Sequence, residues 1–242
     1  MPAAGRPGVN RLVLFDIDGT LVLTGGAGAR AMTQAFEQVF GQQAGASPAS
    51  RLADVPMAGR TDTWIVAEMA RICGVESDTE SLQRFRDIYI SHLAREIHRP
   101  GPRKGVLPGV REALEALARR DGTHVALLTG NFVSGARVKL EYFDLWRYFL
   151  CGAFAEDAPD RNALFAHALA RVEACGGPAL QPSEVVIVGD TPLDIGVAVA
   201  AGARSVGVAT GSYDIDALRN SGADVALEDL GDLAAALDAF GV

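Results

Sequence analysis

Cysteine, histidine and long apolar runs are all scarce in this 242-residue chain, and each scarcity removes a class of protein. The three cysteines, Cys73, Cys151 and Cys175, form no CxxC and no short paired spacing. Neither a disulfide framework nor a thiolate zinc site is expected, and reduced thiols in the cytoplasm are. Cys151, after an aromatic stretch, reads as buried rather than reactive. The four histidines, His92, His98, His124 and His167, show no HxxxH pattern, which again speaks against zinc. His92, His98 and His167 fall on helical stretches as surface or packing residues. No apolar run reaches membrane-spanning length, so no membrane partner is expected. The stretch Pro2 to Gly8 lacks the apolar core of a signal peptide and reads as a frayed terminus. Positive charge is in deficit: 22 Lys and Arg face 30 Asp and Glu, for a net charge of −8. A nucleic-acid partner is therefore not expected, although a local cation can still prepare a site for a small anion.

What is present suits a folded protein. Hydrophobic residues make up 49% and charged residues 21%, enough for one large domain or a core plus an insert. Leu12–Phe15, Val125–Leu128, Val185–Val188 and Ser205–Val208 read as short buried strands, each followed by Gly, Asp or Thr, with Val225–Leu227 a weaker fifth. Helical spacing lies between them, at Val110, Ala113, Leu114, Leu117 and Ala118, at Leu164, Ala168, Leu169 and Val172, and at Ile195, Val199 and Ala200. Alternating strands and helices predict a doubly wound α/β parallel-sheet core. Residues 25–105 break that rhythm. They read as helices only: Ala29–Phe40, Thr61–Ile72 and Thr79–His98, the last with Leu82, Phe85, Tyr89, Leu93 and Ile97 on one face. Arg99 to Gly105 looks like a hinge. The expected division is a core of residues 1–24 and 106–242 and an all-helical insert of residues 25–105, placed like a lid.

The chemistry sits where strands end. Leu12–Phe15 runs straight into Asp16-Ile17-Asp18-Gly19-Thr20. Aspartates are poor strand residues, and two at spacing two could share one side of an extended segment. Such a like-charge pair needs a cation or a shared proton. Thr129-Gly130-Asn131 follows the second strand, Gly189-Asp190-Thr191-Pro192-Leu193-Asp194 the third and Thr210-Gly211 the fourth. Ligands of open parallel sheets bind outside the carboxyl ends of the strands. Asp16, Asp18 and Asp190 offer hard oxygen ligands suited to Mg²⁺. Thr129 offers a hydroxyl, and Gly130 and Asn131 offer backbone N–H groups, an anion cradle. Asp194 also suits the first turn of a helix capped by Thr191 with Pro192 at its first position.

Phe15-Asp16-Ile17-Asp18-Gly19-Thr20, Leu128-Thr129-Gly130-Asn131 and Val188-Gly189-Asp190-Thr191-Pro192-Leu193-Asp194 resemble, in order and separation, motifs one, two and four of the haloacid dehalogenase superfamily. The resemblance implies a Rossmann-like core with a C1 helical cap. It implies Asp16 as nucleophile forming an aspartyl-phosphate, Asp18 as general acid/base, and Thr129 as a ligand of the transferring phosphoryl group. It further implies Mg²⁺ held by the Asp16 side chain, the Asp18 carbonyl and Asp190, with Asp194 in support. The third motif's lysine is missing from Glu156 to Phe165, where Arg161 either substitutes, keeping the charge on a planar fork, or is a surface arginine. Gly59-Arg60-Thr61-Asp62 and the run from Val208 to Tyr213 resemble the phosphoglycolate-phosphatase-like branch. Arg60 there either holds a substrate carboxylate as a bidentate pair or makes a surface or interdomain salt bridge, with Thr61 beside it in the substrate site. The expected function is a Mg²⁺-dependent phosphatase of a small phosphomonoester, cytoplasmic, a monomer or homodimer. The alternatives are a phosphomutase of β-phosphoglucomutase type and a non-catalytic phospho-ligand binding module. A dehalogenase is disfavoured, having little use for a metal or a second acid.

Overall fold

The computed structural model describes residues 10–44, 55–149 and 151–242; the expectation for Pro2 to Gly8 lies outside them. Its centre is β1 (Arg11–Phe15), flanked by β4 (Thr123–Leu128) and β6 (Val185–Gly189). With β5 (Gly152–Ala153), β7 (Arg204–Val208) and β8 (Val225–Leu227) these form a six-stranded sheet of order β5-β4-β1-β6-β7-β8. Every pairing in it is parallel. The chain lays β4 and β5 on one side of β1 and then crosses to build β6, β7 and β8 on the other. The strand order therefore reverses between β1 and β6, which opens a crevice at their carboxyl ends.

Alternation along β1 builds two cores. Val13 and Phe15 point to one face, into a cluster with α4 (Val110–Ala118) and α9 (Leu233–Phe240). Leu12 and Leu14 point to the other, against α6 (Leu164–Ala174) and α7 (Pro192–Ala201). All four side chains are completely buried, as the β-branched and leucine-rich runs of a sheet covered on both faces require. The helix α8 (Ile215–Asn220) links β7 to β8, and α5 (Val133–Tyr142) follows β4.

Between β1 and β4 lie the three expected helices, α1 (Ala27–Ala44), α2 (Asp62–Cys73) and α3 (Thr79–Glu96). They share a separate core that includes Phe36, Phe40, Met69, Phe85, Tyr89 and Leu93 and that Phe132 and Ala155 join from the other side. A two-stranded antiparallel ribbon, β2 (Val22–Leu23) with β3 (Gly105–Val106), brackets this insert. Strands of two residues carry no period, so neither these nor β5 shows in the sequence.

Three expectations fail on detail. The α7 stripe is Ile195, Val197 and Ala198 rather than Ile195, Val199 and Ala200, and Val199 is 60% exposed. That helix is apolar all round, so its sequence cannot reveal the packed face. Ala118, at the last position of α4, is exposed rather than packed. His98 lies in the turn after α3, edge-on to the Tyr142 ring, because the helix stops at Glu96.

Candidate active site

The end of β1 becomes a tight turn. The Asp16 amide donates to the Val188 carbonyl at 3.0 Å, extending the β1–β6 ladder by one residue. The Ile17 carbonyl then accepts from Leu21 (2.9 Å) and Val22 (3.1 Å), while Gly19 donates to Val22 at 3.0 Å. Gly19 has φ of +84°, and a Cβ there would run into the Asp190 carboxylate. Both facts demand glycine. The turn brings Asp16, Asp18 and the start of the insert to one crevice.

Asp16 is buried, and Arg161 Nη2 lies 3.0 Å from its Oδ1. The same nitrogen bonds Asp194 Oδ1 at 2.5 Å, and Nη1 donates to the Gly59 carbonyl at 2.9 Å. Arg161 is itself buried, in a single 3₁₀ turn ahead of α6. The structure thus puts it against Asp16 and not on the surface. Thr129, just past the end of β4, lies beside Asp16 and favours its ionised form. Asp194 Oδ2 accepts from the Thr191 amide (3.1 Å) and hydroxyl (2.7 Å), so its capping of α7 and its bond to Arg161 coexist. Thr20 donates to Asp190 Oδ1 at 3.2 Å.

Carboxylate oxygens of Asp16, Asp190 and Asp194 all lie within 4.8 Å of one another. Burial, reinforced by Asp194 and Asp18 against the pull of Arg161, pushes Asp16 up to about 6. Burial, with Asp194 and Asp16, pushes Asp190 up to about 8. Among the described residues one guanidinium faces three buried acids, a deficit of positive charge that suits a divalent cation on hard oxygens.

Asp18 has a different partner. Its Oδ2 accepts from Lys139 Nζ at 2.5 Å and from Asn131 Nδ2 at 3.0 Å. Lys139 also donates to Asn131 Oδ1 at 2.6 Å, and Asn131 Nδ2 donates to Thr129 Oγ1 at 2.8 Å. The expected like-charge pair is therefore resolved by two cations, Arg161 for Asp16 and Lys139 for Asp18. Sequence reasoning missed Lys139. Two signals mark it: it is one of only two lysines in the chain, and its place on α5 shares the packed face of Ala136 and Leu140.

Above these groups a cavity of about 320 Å³ is walled by the insert. Asp16, Asp18, Gly130, Asn131, Lys139, Arg161 and Asp190 line its floor, and Met32, Met57, Ile65 and Tyr89 its far side. Thr129 and Asp194 stand behind that floor. Gly130 permits the close seating of the insert, since a Cβ there would strike the Arg60 carbonyl. The Asp62 amide donates to the Gly130 carbonyl at 2.6 Å. Arg60 reaches the cavity, but its guanidinium lies over the Trp64 ring, 4.4 Å from the centroid, and makes no ion pair among the described residues. Thr61 is away from the cavity: it caps α2 by accepting from the Trp64 amide (3.1 Å) and donates to the Pro159 carbonyl at 3.3 Å.

The anion cradle at the start of α5 is largely filled from within. The Asn131 amide donates to Thr129 Oγ1 (3.3 Å), the Phe132 amide to Asp62 Oδ2 (2.8 Å) and the Val133 amide to Glu156 (3.0 Å). Helix N-termini attract carboxylates, and here the insert and the loop after β5 supply them. Only the Gly130 amide of the expected pair has no acceptor among the described residues. Burial pushes Asp62 up to about 7 despite Lys139 and this hydrogen bond.

Residues 10–202 match the family model of haloacid dehalogenase-like hydrolases. The phosphoglycolate phosphatase of Pectobacterium atrosepticum is 28% identical over 230 residues, covering 92% of this chain and 90% of the relative. Two solved structures share the fold. A predicted phosphoglycolate phosphatase of Haemophilus somnus is 21% identical with a TM-score of 0.68, covering 96% of this chain and 99% of its own. A hydrolase of Pseudomonas syringae is 24% identical with a TM-score of 0.66, covering 95% and 98%.

Proposed function

The chain belongs to the haloacid dehalogenase-like hydrolase family, and on that premise we propose that it is a Mg²⁺-dependent phosphatase of a small phosphomonoester that carries the phosphoryl group transiently on Asp16. The observation that carries the reading is the buried Asp16 carboxylate, held by Arg161 at the floor of the cavity. Residues 25–105 serve as its cap.

The ester enters with its phosphorus against Asp16. An Asp16 oxygen forms the new P–O bond as the ester P–O bond breaks. Asp18 gives its proton to the departing oxygen, then takes one from the water that hydrolyses the aspartyl-phosphate and releases inorganic phosphate. Arg161 holds Asp16 in place and opposes the charge of the phosphoryl oxygens. The Gly130 amide faces one of those oxygens, and Asn131 fixes Asp18. Asp16, Asp190 and the Asp18 carbonyl would hold Mg²⁺, with Asp194 steadying the set through Arg161 and Thr191; when bound, the ion supplies charge neutralisation for the phosphoryl group. The cap excludes water other than the attacking one. Arg60, at the cavity mouth and stacked on Trp64, is free to meet an acidic group on the substrate, as a carboxylate-bearing ester such as 2-phosphoglycolate would require.

A panel of small phosphate esters, 2-phosphoglycolate first, with and without Mg²⁺, tests this. The reading expects Mg²⁺-dependent release of inorganic phosphate. Isomerised sugar phosphate without free phosphate would make the protein a mutase, and no turnover of any ester would leave a binding module.

A further inference from the structure

Lysine is the side chain least suited to a buried site unless something holds it. Lys139 is nonetheless only 4% exposed. It projects from α5 into the seam between core and cap, where a Cβ added to Gly28 of α1 would sit 3.6 Å from its Nζ. An ammonium has three donors and no fixed plane. Two of the three are spent on Asp18 Oδ2 and Asn131 Oδ1, at 2.5 and 2.6 Å. Asn131 then bonds both Asp18 and Thr129. One continuous network, rooted in Lys139, therefore ties Asp18 to the Thr129–Asn131 turn after β4. It also concentrates both donors on one oxygen of Asp18, Oδ2, which leaves Oδ1 as the oxygen not engaged by it. Asp18 needs such a hold, because its carboxylate is 41% exposed at the cavity and sits on a turn.

We propose that Lys139 is the positioning residue of the proton-transfer step: it clamps Asp18 through Oδ2 so that Oδ1 faces the ester oxygen that must be protonated. The proposal rests on the phosphatase reading above. It assigns Lys139 a task distinct from that of Arg161, which serves the attacking carboxylate. Lys139 acts on leaving-group departure and not on the capture of phosphate.

That difference makes it measurable. A well-placed general acid contributes about 10²–10⁴-fold, but only where the leaving oxygen needs a proton. An alkyl ester needs one, and 4-nitrophenyl phosphate, which departs as a stable phenolate, hardly does. For Lys139→Met, kcat/KM, which reports the first irreversible step, is expected to fall about 100-fold or more on the best alkyl ester of the panel and less than about 10-fold on 4-nitrophenyl phosphate. Asp18→Asn is expected to show the same selectivity, and the Asp18→Asn/Lys139→Met double variant to lose no more than Asp18→Asn alone. Lys139→Arg, which keeps charge and donors, is expected to recover part of the alkyl-ester activity. Equal losses on both esters would overturn the proposal in favour of a purely structural ion pair, and so would full activity of Lys139→Met. If Lys139→Met fails to melt cooperatively, Lys139→Gln, which retains a donor, is put through the same comparison with the same criteria. Failure of the phosphatase reading itself looks different: the unaltered protein would turn over neither ester, or Asp16→Asn would keep its activity.

Discussion

Arg161→Met removes the only cation bonded to Asp16 and Asp194 among the described residues. The methionine fills most of the volume, so the change is chiefly one of charge. Two buried carboxylates lose their partner, and Asp194, completely buried, keeps among the described residues only its bonds to Thr191. Breaking a buried pair by removing one member costs about 3–5 kcal/mol. For a chain of this size each kcal/mol shifts Tm by about 2–4 °C. The expected loss is therefore about 6–20 °C in metal-free buffer, followed by circular dichroism. Asp16 already lies near 6 with Arg161 pulling it down, so without that pull it moves higher still. The variant's deficit should accordingly shrink at acid pH, where Asp16 takes up a proton. Mg²⁺ should also restore part of it, since a bound divalent cation supplies some of the missing charge. A loss under about 2 °C, unchanged by pH and by Mg²⁺, would refute the idea that Arg161 is the counter-charge of the acidic cluster.

Two further variants probe the seating of the cap. Asp62, held near 7 by burial against an ordinary value of 3.8, binds more protons in the folded than in the unfolded chain across that interval. Its contribution to stability therefore falls as pH rises from about 4 to 7, by up to about 4 kcal/mol. Asp62→Asn can still accept from the Phe132 amide, and should melt higher than the unaltered protein at pH 8 and no higher near pH 4; matching pH profiles would contradict this. Gly130→Ala pushes a methyl group into the Arg60 carbonyl, an overpacking worth about 1–3 kcal/mol. It should lower Tm by several degrees and weaken substrate capture, and unchanged stability would show that the cap does not close this tightly.

The sequence was most legible where one physical demand acts locally. The strands β1, β4, β6 and β7 declare themselves because burial on both faces forces continuous apolar runs. Asp16, Asp18 and Asp190 stand out because acids at the ends of such strands have no packing reason to be there. Thr191 and Pro192 foretold the start of α7 through capping chemistry that operates within four residues. Long-range pairing was not legible. Lys139 meets Asp18 across 121 positions and Asp62 meets Phe132 across 70, so only the fold reveals them. The cradle at the start of α5 illustrates the limit: Gly130 and Asn131 do lie just before that helix, but the Phe132 and Val133 amides beside them are taken by the carboxylates of Asp62 and Glu156, which come from elsewhere. Arg161 is the intermediate case, since its charge and rough place were readable while its triple attachment to Asp16, Asp194 and Gly59 was not.

The central claim is that the phosphoryl group passes through Asp16. It is tested most directly by mixing the protein with Mg²⁺ and its best ester, quenching in acid within a turnover, and mapping the phosphoryl adduct by peptide mass spectrometry. The account predicts an adduct on the peptide carrying Asp16, lost in Asp16→Asn together with phosphate release. Phosphate release that persists in Asp16→Asn, or an adduct on any other residue, would contradict it.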